Sequence, residues 1–132
     1  MKKFESMYLI DDDDVHQYIA RRTIENTGLI GTISTFSNGQ EAVNSLKAAI
    51  GNGEALPDVI LLDLTMPVLD GWGFLDNFVP MNRDLNKKIW LFVVSSSINP
   101  ADVERARHIE AVTDYVVKPI TIDKFCDMMR TL

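Results

Sequence analysis

The sequence has little of what would mark an exported, membrane-bound or nucleic-acid-binding chain. It holds one cysteine, Cys126, so no internal disulfide can form. That agrees with a reducing compartment. A domain of 132 residues buries roughly two thirds of its unfolded surface and needs neither disulfides nor a structural metal to stay folded. The longest unbroken apolar run is Ile89–Val94, far short of the roughly 20 residues of a membrane span. Met1-Lys2-Lys3 is followed by only a few apolar residues before four consecutive aspartates, which is no export signal. Lys and Arg number 13 against 19 Asp and Glu, for a formal net charge of −6. The basic residues are scattered, whereas phosphate contacts to a nucleic acid need them clustered. Repeats, low-complexity segments and linkers are missing too. The expectation is one cytoplasmic domain over residues 1–132, with neither membrane nor nucleic acid as a direct partner.

What is there is an alternation of short apolar runs with amphipathic stretches. Five runs read as strands: Ser6–Ile10, Thr32–Phe36, Val59–Leu62, Ile89–Val94 and Thr113–Val117. Three are apolar almost throughout, as strands covered by helices on both faces should be. The first helix carries Val15, Ile19, Ala20 and Ile24 and ends near Gly28. The second follows Asn38-Gly39, with Ala42, Val43, Leu46 and Ile50 on one face, and stops at Gly51-Asn52-Gly53. A third, shorter one follows Asp70-Gly71 through Trp72, Phe74, Leu75 and Phe78 and should end before Pro80. Pro100 suits the first turn of a fourth, and Thr121 caps a fifth containing Ile122, Phe125, Cys126 and Met129. The fold class is therefore α/β, a doubly wound (βα)5 parallel sheet.

Open parallel sheets place ligands at the carboxyl ends of their strands. Strand one ends in Asp11-Asp12-Asp13-Asp14, strand three in Asp63-Leu64-Thr65, strand four in Ser95-Ser96-Ser97, and strand five in Lys118-Pro119. If Asp11, Asp12 and Asp63 converge, each pair of charges about 4 Å apart costs on the order of 4 kcal/mol at an effective dielectric near 20. Something positive must offset that repulsion. Mg²⁺ is the natural partner, because it takes carboxylates, a carbonyl and waters and leaves room for phosphate oxygens. Lys118 adds a point charge suited to a phosphoryl oxygen. An aspartate can serve as nucleophile in phosphoryl transfer. Asp63 is the better candidate, since it stands alone while the pair holds the metal, and Ser95 could donate its hydroxyl to a phosphoryl oxygen.

Four motifs now stand in order along the whole chain. They are Leu9-Ile10-Asp11-Asp12-Asp13, the segment Pro57-Asp58-Val59-Ile60-Leu61-Leu62-Asp63-Leu64-Thr65-Met66-Pro67-Val68-Leu69-Asp70-Gly71, Val93-Val94-Ser95-Ser96-Ser97, and Asp114-Tyr115-Val116-Val117-Lys118-Pro119-Ile120. Together they resemble the receiver domains of bacterial two-component response regulators. The resemblance implies a flavodoxin-like sheet of strand order 2-1-3-4-5. It implies that Asp63 accepts a phosphoryl group from a phosphohistidine on a sensor histidine kinase or histidine phosphotransfer protein. Mg²⁺ would be held by Asp12, Asp63 and the main-chain carbonyl of Thr65, with Asp11 contributing through water. Lys118 would pair with the phosphate, and Ser95 and Tyr115 would act as the switch that remodels the fourth helix, fifth strand and fifth helix for an unknown downstream protein. Thr65, Ser96 and Ser97 would tune phosphoryl lifetime.

Two features stay open at this point. The metal pair could be Asp11-Asp12 or Asp12-Asp13; the first is preferred because Ile10 closes the apolar run. The segment from Ser95 to Lys118 is about one residue longer than the commonest family spacing. Asp13 and Asp14 are assigned to helix capping. A calcium loop of the helix–loop–helix type fails on spacing, lacking the glycine and glutamate it needs. His16 and His108 are read as surface helix residues, Cys126, Trp72 and Trp90 as packing, and Tyr115 as buried core or switch. The chain is expected to be a stand-alone regulator and not a turnover enzyme. The alternatives are an interaction module acting without phosphorylation and an aspartate-nucleophile phosphatase. The phosphatase would want a second acid where Thr65 stands, and a cap domain. Self-association through the last helices stays open.

Overall fold

A computed structural model describes residues 3–66, 68–96 and 98–132. The elements run β1 (Phe4–Ile10), α1 (Asp14–Thr27), β2 (Ile30–Phe36), α2 (Gly39–Asn52), β3 (Val59–Leu62), α3 (Gly71–Arg83), β4 (Trp90–Ser95), α4 (Pro100–Arg107), β5 (Val112–Val117) and α5 (Ile122–Arg130). The strands are parallel in the order β2-β1-β3-β4-β5, the doubly wound, flavodoxin-like arrangement. Among the described residues no helix is long and apolar enough to cross a membrane.

Alternate residues of each strand feed opposite sides of the sheet. Tyr8, Ile10, Ile60, Leu62, Leu91 and Val93 meet α2, α3 and α4 through Leu46, Phe74, Phe78 and Ala106. Met7, Leu9, Val59, Leu61, Phe92 and Val94 meet α1 and α5 through Ala20, Ile24, Phe125 and Met129. Both faces are therefore dry, which is why the central strands read as continuous apolar runs.

Each helix start is capped by a side-chain oxygen, at Asn99 by a residue that no sequence expectation singles out. Asp13, Asn38, Asp70, Asn99 and Thr121 each accept a first-turn backbone N–H, satisfying donors that have no partner inside the helix. Two expectations are corrected. The third helix does not end before Pro80 but runs on to Arg83. Pro80 lies on the exposed side of the helix, so the carbonyl it leaves without an N–H can meet water, while Phe78 and Met81 keep the turn packed on the core. Single members of the expected helix faces also point outward: Val15 and Ile19 of α1, Ile50 of α2 and Ile122 of α5 are exposed, whereas Ala20, Ile24, Ala42, Val43, Leu46, Phe125 and Met129 are buried as expected. On a helix turning about 100° per residue, Val15 and Ile19 fall roughly 140–180° round from Ile24, which is buried.

Between β3 and α3 the chain turns through Val68, which has φ +66°. A β-branched side chain in the left-handed region is a steric outlier costing about 1–3 kcal/mol. Val68 is also 83 % exposed, so its side chain recovers little by burial. Val68→Gly should therefore stabilise the domain by about 1 kcal/mol net of glycine's extra unfolded-state entropy, read as a higher Tm in thermal melts.

Candidate functional site

The register of the sheet assembles the strand ends. Ile10 pairs with Leu62, and Leu62 with Val93, so Asp11 and Asp63 come level at the ends of β1 and β3, with the last residues of β4 beside them on the same edge. The ladder continues beyond the strands: Asp63 N–H donates to the Ile10 carbonyl at 2.9 Å, and Lys118 N–H to the Ser95 carbonyl at 2.9 Å. In β5 a register shift places Leu91 opposite Val112 but Phe92 opposite Asp114. One residue is taken up there, and Ser95 and Val117 still end level. Lys124 of α5 donates to the carbonyls of Val117 and Pro119 at 2.8 and 3.2 Å, clamping the backbone on either side of Lys118.

Carboxylate oxygens of Asp11, Asp12 and Asp63 all lie within 4.8 Å of one another. Asp11 and Asp63 are buried, Asp12 is exposed. Lys118 reaches between the two buried acids, its Nζ 3.1 Å from Asp11 Oδ2 and 3.3 Å from Asp63 Oδ2. The Thr65 N–H points at Asp63 Oδ1 across 3.5 Å, so the residue after next to Asp63 folds back over it. Asp13 takes no part in the cluster, because its Oδ1 accepts the Val15 and His16 N–H groups, each at 3.0 Å, as the cap of α1. The carboxylates brought together are thus those of the Asp11-Asp12 register.

The family model for the response regulator receiver domain matches residues 7–130. The chain belongs to that family. Receiver domains are signalling modules of two-component systems. A probable methanogenesis regulatory protein, FilR2, from Methanothrix harundinacea is 30% identical over 94% of this chain and 76% of its own length. The two-component response regulator from Cytophaga hutchinsonii, a crystal structure, superposes with a TM-score of 0.88 at 29% identity, covering 98% of this chain and 97% of that one. The sensor histidine kinase CheAY of Helicobacter pylori is 33% identical over 83% of this chain, which spans only 13% of that longer protein.

In this receiver domain, burial pushes the Asp63 carboxyl up; Lys118 pulls it back and the Asp11 charge raises it again, leaving it above the usual carboxylate range. Burial alone would lower Lys118, but its bonds and charge interactions with Asp11 and Asp63 outweigh burial and hold its ammonium above the ordinary value. Lys118 is therefore a fixed cation. The donor set of three carboxylates suits a hard divalent ion such as Mg²⁺, whose ligand oxygens sit about 3–4 Å apart in octahedral coordination.

The remaining expected residues are placed as follows. Ser95 is buried at the end of β4, with 2 % exposure. Thr65 and Ser96 are exposed beside the pocket, and Ser97 lies outside the described residues, as does Pro67 of the long motif. Tyr115 is buried among the side chains under α3 and α4. Gly71 lets α3 start against the site: a Cβ there would come within 2.6 Å of the Asp63 carbonyl.

Two pocket residues escape a reading of the sequence. His16 is not a surface helix residue: its side chain is 15 % exposed and its Nδ1 lies 2.5 Å from Asp11 Oδ2. Gln17 donates to the carbonyls of Asp11 and Phe36, each at 3.1 Å, tying the ends of β1 and β2. The available signal was positional. A helix that begins only four residues after a strand end points its first turn back over that end. His108, by contrast, is exposed at the end of α4, as expected.

Proposed function

We propose that this receiver domain is switched by phosphorylation of Asp63, the phosphoryl group coming from a phosphohistidine on a sensor histidine kinase or histidine phosphotransfer protein. The observation that carries this reading is Lys118 Nζ lodged between the Asp11 and Asp63 carboxylates, with Asp12 at the mouth. Three acids and one lysine leave a charge of −2, which a divalent cation would neutralise before a dianionic phosphoryl group entered. Asp12, Asp63 and the main-chain carbonyl of Thr65 would hold Mg²⁺, with Asp11 contributing. Bound there, the ion would supply charge neutralisation on the phosphoryl oxygens.

The Asp63 carboxylate is the nucleophile. One of its oxygens forms the new P–O bond as the P–N bond of the phosphohistidine breaks, and that electron pair returns to the imidazole nitrogen. Lys118 holds a phosphoryl oxygen, and the Ser95 hydroxyl donates to another. Contacts that only the acyl phosphate offers then draw Ser95 and Tyr115 into a second packing of α4, β5 and α5. That altered face meets a downstream protein. Thr65, Ser96 and Ser97 set how readily water reaches the acyl phosphate.

The partner's approach is supported by the first turns of α1. Val15, Tyr18 and Ile19 are 68, 62 and 51 % exposed immediately after the aspartate run, an apolar patch beside an acidic pocket that suits protein contact.

Incubation with Mg²⁺ and acetyl phosphate, followed by intact mass and peptide mapping, tests the reading. One phosphoryl group located on Asp63, and not formed when Mg²⁺ is chelated beforehand, is the expected result. No adduct, or an adduct formed equally without Mg²⁺, overturns it and favours a module that acts without phosphorylation.

A further inference from the structure

His16 is the pocket side chain that phosphoryl chemistry leaves without a role. It occupies the third position of α1, where Asp13 takes its backbone N–H. From there its ring reaches Asp11, with Nδ1 at 2.5 Å from Oδ2. A carboxylate only accepts, so Nδ1 is the donor. Nε2 is buried and has no protein partner among the described residues.

Asp11 is in consequence engaged at both oxygens. Oδ1 takes the Asp13 N–H at 2.9 Å, while Oδ2 takes His16 and, at 3.1 Å, Lys118. Three donors from three directions hold one carboxylate in a single orientation. Asp12 is exposed, and Asp63 has Lys118 on Oδ2 and the long 3.5 Å approach of the Thr65 N–H on Oδ1. The acid cluster therefore has one clamped member and two with oxygens to offer.

We propose that His16 is a positioning residue of the cation pocket, its hydrogen bond to Asp11 holding that carboxylate where it shapes the site while Asp12 and Asp63 offer their oxygens. The inference rests on the reading of this pocket as a Mg²⁺ site. Carboxylates around a metal are oriented by hydrogen bonds from residues that never touch the ion, and loss of such a partner weakens metal binding. His16 does not act as a ligand here, because the ligand atoms that come together are carboxylate oxygens of Asp11, Asp12 and Asp63, with no His16 nitrogen grouped with them, and a hard ion prefers oxygen.

Mg²⁺ and Mn²⁺ titrations of the full chain, followed by tryptophan fluorescence and by calorimetry, test this on the parent, His16→Leu and His16→Asn. The asparagine amide can stand where Nδ1 stands and restore the donor. His16→Leu should weaken both ions together by about tenfold, and His16→Asn should recover most of that loss. Metal-free melts check that both variants fold. In the parent, the ¹⁵N-resolved His16 ring signals should keep the Nδ1 proton on addition of Mg²⁺, a measurement that needs no variant. Unchanged or tighter Mg²⁺ binding by His16→Leu, a loss confined to Mn²⁺, failure of asparagine to restore binding, or disappearance of the Nδ1 proton on Mg²⁺ addition each overturns the inference. If the parent binds neither ion, the Mg²⁺ reading falls and takes the inference with it. If the parent binds and His16→Leu binds equally well, the inference falls alone.

Discussion

Asp63→Asn should abolish the phosphoryl adduct and, in the absence of Mg²⁺, make the protein more stable. The first effect is total, because an amide carries no nucleophilic oxygen anion and no other residue stands in the same place at a strand end. The second follows from charge. Asp63 is 6 % exposed and shares a pocket with Asp11 and Asp12, whose carboxylates lie within 4.8 Å of its own; Lys118 serves both buried acids with one charge. Burial and the neighbouring Asp11 both disfavour ionised Asp63. Asparagine keeps the shape, removes a charge, and leaves Lys118 paired with Asp11. A gain on the order of 1 kcal/mol, a few degrees in Tm, is expected for a domain of this size. Mg²⁺ should narrow the gap, since a cation that binds only the folded parent stabilises it by mass action. A variant that melts below the parent in chelator would show that repulsion in the pocket is already offset. A variant still labelled at the same position would remove Asp63 as the acceptor.

The largest loss of stability is expected at the opposite pole of the sheet. Asp58 precedes β3, and its Oδ2 accepts the N–H groups of Glu5 and Ser6 at 2.9 and 3.2 Å, where β1 begins. Its Oδ1 pairs with Lys87 Nζ at 2.8 Å, and Lys87 also donates to the Leu56 carbonyl at 2.6 Å. One carboxylate thus joins the starts of β1 and β3 to the segment entering β4. Asp58→Ala would remove both backbone bonds and the Lys87 ion pair together, at a cost of about 2–4 kcal/mol. Burial works to raise the Asp58 carboxyl, but the Lys87 bond and the two backbone donors outweigh it and hold the group below its ordinary 3.8. A depressed folded pKa means that this stabilisation is present above the unfolded value and fades as pH falls through the folded one. The difference between parent and Asp58→Ala should therefore be full at neutral pH and shrink below about pH 4 in urea titrations. A constant difference down to strong acid would show that the loss comes from packing and not from the charge.

Much of this architecture was legible because the two periodicities are clean. β3 lies where its four apolar residues predicted, and caps at Asn38, Asp70 and Thr121 start their helices as read. The starts of β1 and β2 were less legible. Phe4 and Ile30 pair with each other across the sheet, a contact that depends on a neighbouring strand more than on local pattern. Pro80 misled for a related reason. Its local cost to a helix is real, but an exposed final turn anchored by Phe78 and Met81 absorbs it.

By itself the sequence determined the doubly wound class, because runs apolar on both faces can only be buried between two layers of helices. It also determined that acids, hydroxyls and a lysine would meet at one edge, since side chains at the carboxyl ends of parallel strands have nowhere else to gather. Only the tertiary structure decided how that edge is wired. Lys118 bridges Asp11 and Asp63 because the β4–β5 register and the Lys124 clamp set its backbone, while the rotation of α1 sends Val15 and Ile19 outward and His16 inward onto Asp11. These are consequences of how elements distant in sequence pack together, and the rotation of a helix about its axis is chosen by the surface it lies on, not by its own residues alone.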